Sequence, residues 1–177
     1  MPSLPAPAND GAADHLPGRS LPSLALPATD ASRVSLDELP GPTVVFVHPG
    51  IGGPAGPGAL EEWTAVPGAR GCTPEACSFR DELAGSRAAG AAVVGLSSQS
   101  PDSQREAAEE LGLSYRLLSD EGMKAAEVLE LPTFEFRGER YLRRVTLIVR
   151  DSTVKEALYP VFPPEDAARQ ALDSLGR

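Results

Sequence analysis

A chain of 177 residues is long enough for one domain with a substantial core. With 41% hydrophobic and 23% charged residues it is a globular composition, which excludes a disordered chain. The 16 basic against 25 acidic residues leave a net charge of −9, which disfavours nucleic acids and anionic membranes as partners.

Residues 1–20 are rich in Pro, Ala and Asp without periodicity and are expected to be a flexible lead-in to a domain over 21–177. They show neither a basic nor an apolar signal region, so the expected location is cytoplasmic, and no apolar run approaches the roughly 18 residues of a membrane span. A short strand is expected at 33–36. The run TVVFV at 43–47 is apolar and β-branched throughout, which predicts a strand buried on both faces. Residues 49–71 are too rich in Gly and Pro to be regular over their first half, and a loop of that length is usually functional or mobile.

From Cys72 the period turns helical, with Ala76, Phe79, Leu83 and Ala84 on one stripe, Pro74 in the first turn and Gly90 as the C-cap. A second buried strand follows at 91–96. Ser100-Pro101-Asp102 then opens a helix to Leu111, and a strand at 115–118 precedes Ser119-Asp120, the cap of a helix carrying Met123, Ala126 and Leu129. Residues 145–149 and 154–159 read as a hairpin, and Pro163-Pro164 opens a last helix with Ala167, Ala168, Ala171, Leu172 and Leu175 inward. This order predicts an α/β sandwich around a mixed sheet.

The chemistry centres on GCTPEACSFRD, which holds both cysteines, Cys72 and Cys77. A CxxC dithiol is absent, which argues against a disulfide reductase. With His15 and His48 as the two histidines and no four-ligand spacing, no metal site is expected. Residues 50–55 match GxGxxA superficially, but prolines follow where a helix must begin, and no serine-hydrolase elbow is present. Cys72 falls at a helix N-terminus, where unpaired N–H groups and the helix dipole favour a thiolate, and Arg70 could add a cation beside it. In an intact ideal helix the two cysteine Cα atoms would lie about 8.7 Å apart. That exceeds disulfide reach, so the pair can bond only after the first turns unwind.

These residues resemble the active-site helix of the peroxiredoxins, in the bacterioferritin-comigratory (Q-type) class with both cysteines on one helix. The resemblance extends to LPATDASRVSLDELPGPTVVFVHP, AAVVGLSSQSPDSQREAAEELGLSYRLLSD and RRVTLIVRD, and so to most of residues 21–175. It implies a thioredoxin-like three-layer sandwich and thiol-dependent reduction of hydrogen peroxide or organic hydroperoxides, with no cofactor. By that resemblance Cys72 is the peroxidatic and Cys77 the resolving cysteine. Arg144 stabilises the thiolate, Glu75 holds the pocket's hydrogen bonds, and Pro49 starts the shielding loop. A thioredoxin-like dithiol would recycle the pair, and the class leans towards a monomer, a dimer remaining open.

Two departures stand out. The family's threonine three residues before the cysteine is Ala69, and residues 50–67 are an insertion between Pro49 and the helix. The lost hydroxyl comes from Thr64, Thr73 or Thr146, or is missing. A redox sensor, or a thiol protein acting on another partner or small metabolite, is therefore the alternative function. His48 is read as structural in preference to a proton donor, and Trp63 as either a lid or a loop anchor. A one-residue slip in the last hairpin would exchange Arg144 for Arg143.

Overall fold

In the computed structural model, which describes residues 3–176, a two-stranded arm of β1 (Ala25–Pro27) and β2 (Arg33–Ser35) leads into β3 (Thr43–Val47). Helix α1 (Ala59–Ala65) precedes α2 (Cys72–Asp81) and α3 (Leu83–Ala88), then β4 (Ala92–Ser97), α4 (Pro101–Leu111), β5 (Arg116–Ser119) and α5 (Lys124–Leu129). The hairpin β6 (Thr133–Phe136) and β7 (Glu139–Leu142) is followed by β8 (Val145–Arg150), β9 (Thr153–Leu158) and α6 (Ala167–Leu175).

The central sheet runs β5-β4-β3-β8-β9, with β3 parallel to β4 and antiparallel to β8. All five side chains of β3 are buried, as the continuous β-branched run predicts. Val45 and Val47 face a core closed by α5 and the N-terminal arm. Val44 and Phe46 face a second core formed with α2, α4 and α6. The result is the expected thioredoxin-like three-layer sandwich around a mixed sheet. Local signals hold where they are strongest. Ser100 Oγ accepts the Ser103 N–H at 3.2 Å with Pro101 at the first position of α4. The Asp120 carboxylate accepts the Ala125 and Ala126 N–H groups at 3.0 Å each, tying down the start of α5.

Three segments differ from the sequence reading. Residues 3–20, expected to be flexible, lie against the domain: Leu16 is fully buried, the Gly18 N–H donates to Val154 O at 2.7 Å, and Ser20 bridges to Thr153. The helix from Cys72 breaks at Glu82 (φ −95°, ψ 9°), which turns Leu83 and Ser86 inward and leaves Ala84 exposed. Residues 50–67, read as a Gly- and Pro-rich loop, are also built rather than loose. Their helix α1 drives Trp63 against Phe134, Phe136 and Tyr141 of the β6–β7 hairpin, with ring centroids 5.4, 5.1 and 4.8 Å away. Arg137, at the hairpin turn, pairs with Glu62 at 2.8 Å and donates to Pro57 O at 3.0 Å.

Candidate active site

Cys72 is the first residue of α2, and the backbone around it explains why the chain can start a helix there. Gly71 has φ 118°, and a Cβ on it would overlap the Pro164 ring, so only glycine lets α2 begin hard against the segment leading into α6. Cys72 is 4% exposed. Its polar neighbours are the Gly50 N–H, with N to Sγ 3.3 Å, and Arg144 Nη2 at 3.5 Å, while Ala69 O lies 3.9 Å away. Gly50 belongs to the loop opened by the buried Pro49, and that loop is clamped from β4's far end. The Gln99 side-chain amide donates to Ile51 O and accepts the Ile51 N–H, both at 2.9 Å.

Arg144 precedes β8 and is almost wholly buried. Its Nη1 pairs with the Glu75 carboxylate, one turn into α2, and Nη2 reaches the carbonyls of Gly68, Ala69 and Arg70 at 3.4, 3.5 and 3.4 Å. One guanidinium thus holds the loop before the cysteine, the cysteine itself and the helix after it. The hairpin register is the one that turns Arg144 inward. Arg143 points away, stacked 5.5 Å from the Phe134 ring and donating to Thr133 O.

The electrostatics differ from the sequence expectation of a depressed thiol. Burial pushes the Cys72 thiol above its ordinary value, and the Glu75 charge adds to that. Arg144 and the Gly50 N–H pull the other way. Burial also raises the Glu75 carboxyl to about 7 against the pull of Arg144. Two acids therefore compete for one guanidinium, and they titrate as a coupled pair. When Glu75 holds its proton, the positive charge is left to the sulfur.

The other predicted residues fall into place around this group or away from it. Cys77 lies further along the unbroken helix, half-buried and unbonded, so α2 holds the two thiols apart. Thr73 is exposed on the rim beside Cys72, whereas Thr146 is buried with its Oγ1 unpartnered among the described residues. Thr64 Oγ1 is engaged by Leu60 O and Arg70. Arg70 sends its side chain to Thr64 at 3.2 Å rather than to the sulfur; its contribution inside the site is its carbonyl. His48 stacks on Phe46 at 5.4 Å, and burial together with the Arg144 charge keeps it neutral, its pKa lowered to about 3. That is a structural imidazole. Ala69 is buried in the Trp63 cluster and brings no hydroxyl to the site.

A cleft of 320 Å³ opens over Cys72, bounded by Leu4, Gly53, Leu60, Trp63 and Pro74. Trp63 is therefore anchor and wall at once. Gly50, Gln99, Leu60 and Leu4 were not legible as site residues, because their parts depend on main-chain contacts or on a tertiary fold-over. Gln99→Ala is expected to free the Gly50 loop and slow Cys72 oxidation about tenfold without unfolding the protein. Trp63, the single tryptophan, reports this by stopped-flow fluorescence.

The Redoxin family profile matches residues 16–174. A chloroplastic peroxiredoxin Q of Sedum lineare is 30% identical over 175 residues, covering 98% of this chain and 85% of the relative. The chain is a Q-type peroxiredoxin of the Redoxin family. This peroxiredoxin is also 32% identical over 155 residues to the chloroplastic peroxiredoxin Q of Gentiana triflora, which covers 87% of the chain but 64% of that relative, so it spans just under two thirds of that protein. The crystal structure of the peroxidoxin BcpB from Mycobacterium tuberculosis superposes with a TM-score of 0.73 at 26% identity, over 92% of this peroxiredoxin and 97% of BcpB.

Proposed function

We propose that this peroxiredoxin is a thiol-dependent peroxidase in which Cys72 is the attacking and Cys77 the resolving sulfur. The observation that carries the reading is the sulfur held between the Gly50 N–H and the Arg144 guanidinium at the start of a helix. The Cys72 thiolate attacks one oxygen of a hydroperoxide: an S–O bond forms, the O–O bond breaks, and the leaving alkoxide or hydroxide takes a proton. Cys72 becomes a sulfenic acid and the peroxide becomes an alcohol or water. The first turns of α2 then unwind, Cys77 attacks the Cys72 sulfur, and the S–S bond forms as hydroxide leaves and is protonated to water. Exchange with an external dithiol of the thioredoxin kind restores both thiols, as a reducing cytoplasm would allow. The Arg144 charge stabilises both the thiolate and the negative charge developing on the peroxide oxygens.

One observation favours a second reading. Burial raises the Cys72 thiol, which suits a slow redox sensor better than a fast scavenger. One experiment separates the two. After one equivalent of hydrogen peroxide, intact mass is expected to fall by two hydrogens, and Cys77→Ser is expected to gain one oxygen instead. Unchanged mass in both proteins refutes the chemistry. Oxidation that a thioredoxin system cannot reverse catalytically would leave the sensor.

A further inference from the structure

Tyr115 lies at the corner between α4 and β5, buried, with its ring edge-on to Phe46 at 5.7 Å. Its Oη donates to Ala76 O at 2.7 Å, and Ala76 is the residue before Cys77. A helical carbonyl has a second lone pair free for such a bond. Burial, with the Glu75 and Cys77 charges, pushes the phenol up, so it stays a donor at neutral pH. Two further contacts hold the same stretch. Phe79 stacks on Phe46 at 4.5 Å, and Arg80 Nη1 donates at 2.7 Å to the carbonyl of Leu111, the last residue of α4. Cys77 thus sits among three anchored neighbours, and none of these anchors touches a sulfur.

The amino end of α2 is held differently. The Gly50 N–H and Arg144 grip the Cys72 sulfur itself, and Arg144 also grips Glu75. Thr73 and Pro74, between those two residues, are exposed. Oxidation of Cys72 to a sulfenic acid removes the thiolate charge, so a charge-assisted contact becomes an ordinary one. The chemistry therefore loosens one half of α2 and leaves the other half fastened.

We propose that Tyr115 is a positioning residue for the resolving step: it holds residues 76–80 as a platform while the first turn of α2 unwinds and carries Cys72 to Cys77. The inference rests on the peroxidase reading above, with Cys77 as its second sulfur. The step keeps its balance: the Cys77 sulfur attacks, the S–S bond forms, the S–O bond breaks, and hydroxide leaves with the Cys77 proton as water.

The test is Tyr115→Phe, which keeps the ring and removes the hydroxyl. In the full chain, stopped-flow fluorescence separates peroxide-dependent oxidation of Cys72 from peroxide-independent closure of the disulfide, and intact mass checks each product. Closure is expected to slow about fivefold, the scale of one lost hydrogen bond, while oxidation keeps the parent rate. In excess hydrogen peroxide a larger share of chains is then expected to gain two oxygens at Cys72, because a second peroxide competes with Cys77 for the sulfenic acid. A bond that merely stiffened α2 would give the opposite sign, since a looser helix unwinds sooner. Faster or unchanged closure, or an equal fall in both steps, overturns the platform and leaves the peroxidase standing. A parent protein that forms no disulfide after peroxide overturns the resolving role of Cys77 and the platform together.

Discussion

Arg144→Met is expected to slow oxidation of Cys72 by hydrogen peroxide by about two to three orders of magnitude, the usual cost of removing a preorganised donor aimed at developing charge. Three losses coincide. The sulfur keeps the Gly50 N–H but loses the positive charge that opposes its desolvation. The carbonyls of Gly68, Ala69 and Arg70 lose the donor that gathers them, so the turn feeding Cys72 into α2 relaxes. Glu75 is left buried without its partner, which costs about 3–5 kcal/mol of stability unless it takes up a proton. Glu75 already sits at about 7 beside the guanidinium, so its removal drives the carboxyl to the neutral form. The double variant Arg144→Met/Glu75→Gln separates the effects: denaturant titration is expected to recover most of the lost stability, while stopped-flow oxidation stays slow. Recovery of the rate together with the stability would mean that Arg144 only holds the fold and takes no part in the chemistry.

What could be read without coordinates was what local chemistry determines. A β-branched run such as Thr43–Val47 has one good environment, and Ser100-Pro101 has one good use, so both were legible. Cys72 was marked by its place at a helix start, Glu75 and Arg144 came through resemblance to a motif, and the structure brings these three together. The β6–β7 hairpin and α1 went unread for a shared reason. Phe134 and Phe136 alternate correctly around an Arg-Gly turn, but four residues per strand is a weak signal, and the stability of each segment comes from the other through Trp63. The N-terminal segment escaped likewise, since isolated docking residues such as Leu16 leave no period to detect. The direction of the Cys72 shift was misjudged because helix position is local, whereas burial is imposed by distant segments that close over the site.

The buried histidine behind the site makes a second large effect measurable, and its sign follows from which state binds the proton. His48 is held neutral down to about 3 in the folded protein, against 6.5 for the exposed imidazole. Between those values the unfolded chain binds the extra proton, so folding stability contributed by this group rises with pH at about 1.4 kcal/mol per pH unit. Glu75 acts oppositely: with its carboxyl raised from 4.5 to about 7, the folded state holds the extra proton in that range and stability falls as pH rises. From these two groups, stability is expected to climb up to about pH 4.5, stay level to about 6.5, and decline slightly to about 7. His48→Phe keeps a ring on the Phe46 stack and removes the rising part. The parent-minus-variant difference should therefore increase with pH from 3 to 6.5, whatever constant packing cost the larger ring adds. A difference that stays flat across that range would mean the folded protein accepts a proton on His48, and the imidazole would then be a group able to donate one beside Arg144.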